Sequence, residues 1–101
     1  MSKKEAKLKK AEKVAKKEIN PENYFVLGNG GVIKSIEELG STLDHLSDDE
    51  FRYHVNDAKN DFANWIRDVF AETELAEKLF ATKDKKDTQI IVLKYLLNSK
   101  R

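Results

Sequence analysis

The sequence predicts a mainly α fold: one compact helical domain with a single small β-hairpin near its amino terminus, preceded by a lysine-rich helix. Three observations carry that expectation. Apolar residues recur at three- and four-residue spacing through most of the chain after residue 35. The one stretch of period-two, aromatic and β-branched character is short and is interrupted by Gly28-Asn29-Gly30-Gly31. Residues 1–20 hold Ala, Lys and Glu without a Gly or Pro, a composition that favours helix. The chain's 101 residues suit one domain, divided into a basic arm over 1–20 and a body over 21–98.

The arm reads as a helix from Ser2 to Glu18, with Ser2 and Glu5 forming a capping box. Its apolar stripe of Leu8, Ala11, Ala15 and Ile19, with Val14 beside it, is thin, so docking is weak and the first seven residues are expected to fray. Pro21 ends it by pushing the preceding residue out of the α region. A hairpin follows over 24–34, its strands Tyr24–Leu27 and Val32–Lys34. Two strands alone are marginal in water, so the hairpin must lie on the helices after it.

Ser35, with Glu38 three residues on, caps a helix over 35–46 whose clean face is Ile36, Leu39, Leu43 and Leu46. Ser47 and Glu50 repeat the pattern for a helix over 48–58. Asn56, Asp57, Asn60 and Asp61 are poor helix formers inside an otherwise unbroken apolar run, which requires a kink or a break near 57–61. The break is preferred, with Asn60 capping a helix over 60–71. A short helix over 73–80 carries Leu75, Leu79 and Phe80, and Asp84-Lys85-Lys86-Asp87 reads as a polar connection. The last segment, 88–98, has Ile91, Val92, Tyr95 and Leu96 at helical spacing; its β-branched start also suits a strand, but its length favours helix. The expected core is Phe51, Val55, Phe62, Trp65, Ile66, Val69 and Leu79, joined by Leu39 and Leu43.

A net charge of +1 conceals segregation. Residues 1–20 set eight lysines against three glutamates, residues 21–80 set five basic against thirteen acidic side chains, and residues 81–101 set six against two. An acidic body therefore carries two basic ends, which either reach for a polyanion or fold back on the body's own carboxylates. With no Cys, thiolate metal sites, disulfide scaffolds and thiol enzymes are excluded. The longest apolar run, Ile90-Ile91-Val92-Leu93, is too short to cross a bilayer, and the arm has no insertable apolar face, so no membrane attachment and a cytosolic setting are expected.

Polar residues interrupt the aromatic stripe where they would need a reason. On a continuous helix His54 lies near Phe51, Ala58 and Asp61, so it is expected as a core histidine whose ring nitrogens bond Asn60, Asp61 or a backbone carbonyl, fixing a junction. The competing reading makes His54 a base oriented by Asp61 in a ligand pocket, but the pattern offers no nucleophile or metal partner. Trp65 is expected in the core, beside Phe62, Ile66 and Val69, rather than as a stacking platform. Gly28-x-Gly30-Gly31 lacks the helix that must open directly after a phosphate loop, so it reads as a turn. His45, Asp48, Asp49 and Glu50 include donors for a divalent cation, although acids in a first turn ordinarily complement the helix dipole.

Tyr24-Phe25-Val26-Leu27-Gly28, Ile36-Glu37-Glu38-Leu39, Phe51-Arg52-Tyr53-His54-Val55-Asn56, Asn60-Asp61-Phe62-Ala63-Asn64-Trp65-Ile66-Arg67-Asp68-Val69 and Leu75-Ala76-Glu77-Lys78-Leu79 together are similar to a small, mainly archaeal domain family of unknown function. The resemblance covers 24–80 and leaves both basic ends outside. Its most specific part is the spacing of His-Val-Asn and Asn-Asp-Phe-Ala-x-Trp. It implies a compact, mostly helical module and brings no activity or cofactor.

Two functions are therefore expected to compete. In the first, the body is a non-catalytic interaction module that docks a protein partner or its own copy. In the second, Lys3, Lys4, Lys7, Lys9, Lys10, Lys13, Lys16 and Lys17 contact nucleic-acid phosphates without reading sequence. Neither requires a cofactor, a metal or a small-molecule substrate, and no catalytic residue stands out.

Overall fold

The structure is a computed structural model and describes residues 19–99. From there the chain runs through a 3-10 turn (Pro21–Asn23) and a hairpin of β1 (Phe25–Val26) and β2 (Val32–Ile33), then helices α1 (Ile36–His45) and α2 (Asp48–His54). A second hairpin, β3 (Val55–Asn56) with β4 (Lys59–Asn60), leads into α3 (Asp61–Phe70), α4 (Thr73–Phe80) and α5 (Lys85–Ser99). The described residues are thus mainly helical, with two small antiparallel hairpins. The lysine-rich helix expected over 2–18 lies outside them.

The first hairpin pairs Phe25 with Ile33 and Val26 with Val32. Alternation turns Phe25 and Ile33 into the core and leaves Val26 and Val32 outside. The strands are shorter than the expected Tyr24–Leu27 and Val32–Lys34. Leu27 leaves the ladder to enter the core, its carbonyl accepts from Gly30 N at 2.9 Å, and its own amide bonds Gly31 O at 2.8 Å. Gly30 sits at φ +92°, where a side chain would be strained.

Ser35 Oγ accepts from Glu38 N and Ser47 Oγ from Glu50 N, each at 3.1 Å, so both expected caps form. The Glu38 carboxylate completes its turn one residue early, accepting from Lys34 N at 3.2 Å. The expected helix over 48–58 ends at His54, and the break is built differently from a simple interruption: a tight second hairpin fills it. Asn56 causes this, because its side chain donates to Arg52 O at 3.1 Å and accepts from Ala58 N at 3.0 Å, offering the backbone a turn in place of another helical bond. Asn60 then caps α3 through Ala63 N at 3.0 Å.

α3 ends on Ala71 in the left-handed region at φ 56°. The last helix begins at Lys85, three residues before the expected 88, since Asp84 supplies a cap within what reads in the sequence as a polar connection: its Oδ1 accepts from Lys86 N at 3.3 Å and its carbonyl from Thr88 N at 3.0 Å. The length of the segment decides for helix over strand.

α1 and α4 pack against α5, and α3 against α4. Phe51, Val55, Phe62, Trp65, Ile66, Leu79, Leu39 and Leu43 are buried as expected, with Ile33, Ile36 and Val92. Each such side chain contributes about 1.5–3 kcal/mol relative to exposure. Val69 is the exception: it is only partly buried, on the margin of α3's inward face. Gly40 lets α1 approach α5 closely, because a Cβ there would stand 2.8 Å from Leu96 Cδ1.

Candidate functional site

His54 ends α2 and is almost wholly buried, its ring edge-on to Phe25 at 4.9 Å and to Tyr53 at 4.8 Å and tilted against Phe62 at 5.5 Å. Both nitrogens are engaged. Nδ1 lies 3.0 Å from Asp61 Oδ2, and Nε2 accepts from Gly28 N at 3.2 Å. Because the amide can only donate, Nε2 bears the lone pair and Nδ1 carries the proton it gives to Asp61. The histidine thereby joins the turn of the first hairpin to the start of α3. Gly28 keeps that turn close to α2: a Cβ would stand 3.1 Å from the Glu50 carboxylate and 3.3 Å from Tyr53, so one of these side chains would have to give way.

Glu50 reaches the same loop, accepting from Asn29 N at 3.2 Å, with Oε1 3.5 Å from His54 Nε2. Lys59 Nζ lies 2.9 Å from Asp61 Oδ2. Partial burial pushes the Asp61 carboxyl up, but the hydrogen bonds from Lys59 and His54 and the Lys59 charge outweigh it and hold the group below the usual carboxylate range. Asn60 is not part of this chain of bonds. Its side chain faces the other way, donating to Leu79 O at 2.9 Å and so tying α4 to the cap of α3. Trp65 is buried, and its indole N–H donates to Asn23 O at 2.8 Å across the 3-10 turn.

A base and its orienter are thus adjacent, yet Nε2, the nitrogen a substrate must reach, is held by the Gly28 amide in a side chain 4% exposed. What the arrangement does chemically is fix the turn at Gly28 to the end of α2, 26 residues on, and to the start of α3. Among the described residues no group of three or more His, Cys, Asp or Glu is placed to hold a metal ion. Asp48, Asp49 and Glu50 occupy the first turn of α2, where their charges meet the helix dipole, and His45 stands apart at the end of α1. The arm lysines Lys3, Lys4, Lys7, Lys9, Lys10, Lys13, Lys16 and Lys17 lie outside the described residues. No helix of the described residues is long and apolar enough to cross a membrane.

The surface feature that sequence reasoning missed is on α5. Val92, Leu96, Thr88 and Ser99 face the core, while Ile90, Leu93 and Leu97 point outward at 42, 42 and 65% exposure. The signal was present: an apolar run flanked by a second pair, Leu96-Leu97, gives the helix apolar residues on every side, and such a helix belongs in an interior. Among the described residues, the rest of the chain packs on only one of its sides. A cleft of about 410 Å³ opens between α4 and α5, lined by Glu72, Leu75, Lys78, Lys94 and Tyr95 among others. The Tyr95 hydroxyl is covered there and has no hydrogen-bond partner among the described residues. Comparison of the chain with models of known protein families, with curated proteins and with solved structures finds no match.

Proposed function

We propose that the protein is a non-catalytic interaction module that docks a protein surface through the outer face of α5. The observation that carries this reading is the stripe of Ile90, Leu93 and Leu97 on the outer side of a helix whose opposite side, at Thr88, Val92, Leu96 and Ser99, is buried in the domain. Scattered exposed leucines are ordinary; three on one helical ridge form a strip that water wets at a cost and a partner relieves. The His54 network supports the same reading from the inside, since it spends the histidine on rigidity rather than leaving a ring nitrogen open to a substrate.

The test is a photo-crosslinking side chain placed at Leu93 or Leu97, in cells that make the protein, with Asp68 on α3 as the reference position. Adducts at both α5 positions and none at Asp68 are expected. Ile90→Asp, which sets a charge within the stripe, should abolish them. Equal labelling at Asp68 defeats the reading.

A further inference from the structure

We infer that the turn of the first hairpin, residues 28–31, is opened by acid, with His54 as the group that takes up the proton. Within the hairpin the turn bonds itself: Leu27 N donates to Gly31 O at 2.8 Å, Gly30 N to Leu27 O at 2.9 Å, and Gly31 N to Asn29 Oδ1 at 2.8 Å. The other two amides look outside it. Gly28 N donates to His54 Nε2 and Asn29 N to Glu50 Oε1, each at 3.2 Å, so α2 holds the turn through one lone pair and one carboxylate.

A proton on Nε2 ends the first of these bonds. The imidazolium has no lone pair there, and its new N–H faces the Gly28 N–H. Glu50 Oε1, 3.5 Å away, is the acceptor in reach, and drawing it toward Nε2 pulls it from Asn29 N. A closed turn and a proton on Nε2 therefore exclude one another, and acid selects the open turn.

The charges around the ring suit this exchange. Among the described residues, α2 contributes Glu50 and the Tyr53 phenol, and α3 contributes Asp61 at Nδ1. From β4 comes Lys59, whose Nζ lies 2.9 Å from Asp61 Oδ2 and 5.0 Å from the centre of the Tyr53 ring. The first hairpin brings only Phe25 and the Gly28 amide. A buried imidazolium thus has a carboxylate at each nitrogen, with one ammonium beside the farther of the two. The strands do not follow the turn: Phe25 stacks on Phe62 at 4.7 Å and Ile33 is fully buried, so the hairpin stays seated and acid bares Leu27, the buried residue at the root of the turn.

Backbone-amide and imidazole NMR of the full chain, titrated from about pH 8 to about pH 5, where imidazole side chains change charge, tests this. At the upper end His54 is expected as the Nδ1–H tautomer. On acidification the His54 ring and the Gly28 and Asn29 amides should shift with one midpoint. Hydrogen-exchange protection at Gly28 should fall about tenfold or more, while that at Phe51, bonded to Ser47 O within α2, holds. Glu50→Gln keeps an acceptor for Asn29 N but withdraws the charge at Nε2, and should move the common midpoint to lower pH; His54→Gln should remove the transition. His45, exposed on α1, supplies a reference midpoint. The proposal is overturned by a His54 ring that stays neutral until the whole chain unfolds, by an Nε2–H tautomer, by a Gly28 amide that ignores the His54 midpoint or follows that of His45, or by a midpoint unmoved in Glu50→Gln.

Discussion

Replacing His54 by Gln leaves an amide that can satisfy the Gly28 N–H or Asp61 but not both at the distances the imidazole spans, and it strips the edge contacts with Phe25 and Tyr53. His54→Gln is expected to lower stability by about 1–3 kcal/mol without altering docking by the folded fraction; urea melts and the α5 crosslink measure the two separately. Asp61 adds a pH signature. Its folded carboxyl lies below the ordinary value of 3.8, so the folded state prefers the ionised form. That stability is fully present above the unfolded value and lost as pH falls through the folded one. Asp61→Asn should flatten the acid limb of a stability profile, and an unchanged limb would place the sensitive carboxylate elsewhere. Trp65→Ala removes a buried ring and the bond to Asn23 O, at a cost of about 3–5 kcal/mol, enough to unfold a domain of this size. A melting point within a few degrees of the parent would contradict the burial. The Tyr95 phenol is pushed up to about 12, first by burial and then by the Glu72 charge. An acid held neutral in the folded state loses stability as pH rises from the unfolded value of 10.0 toward 12. Tyr95→Phe should remove that alkaline loss and, by deleting a covered hydroxyl without a partner, leave neutral-pH stability equal or higher.

Element by element, what was legible in the sequence was what local chemistry decides. Both serine caps, the Asn60 cap and the existence of a break before it follow from side chains that bond their own backbone within three residues. The second hairpin was not legible, because Val55-Asn56 and Lys59-Asn60 are too short to show a period, and what pairs them is the turn that Asn56 makes on both sides. The early start of α5 was hidden by Lys85 and Lys86, which read as loop until Asp84 is seen to cap them. The core histidine was anticipated with Asp61 among its partners, but Gly28 lies 26 residues away and no local pattern announces it. The outer stripe of α5 escaped notice because hydrophobic spacing marks which residues are apolar on a helix, not which side the rest of the chain will cover. The end of α3 offers a test at this scale. Ala71 adopts a left-handed conformation without the glycine that usually supplies it, so Ala71→Gly should stabilise the protein by about 0.5–1 kcal/mol, read as a higher denaturant midpoint at unchanged slope. A lower midpoint would show that chain entropy outweighs the relief of strain.

Across the whole molecule, the body closes through contacts between distant segments: the His54 bonds tie the first turn to α2 and α3, and α5 seals α1. The pairing of Asp44 with Gln89 spans 45 residues, and Gly40 is packed against Leu96. For a chain made from one end, this geometry imposes a waiting time. When α1 leaves the ribosome only β2, among the elements it packs on most, is already made, and its main wall is missing until α5 has been synthesised and released from the exit tunnel. Through that interval Leu39 and Leu43 depend on transient cover, so a chaperone that holds nascent chains should be engaged from the emergence of α1 until α5 arrives. Ribosome-bound chains stalled with only α1–α4 exposed should accordingly remain protease-sensitive, and those stalled with α5 fully outside should become resistant in a single step.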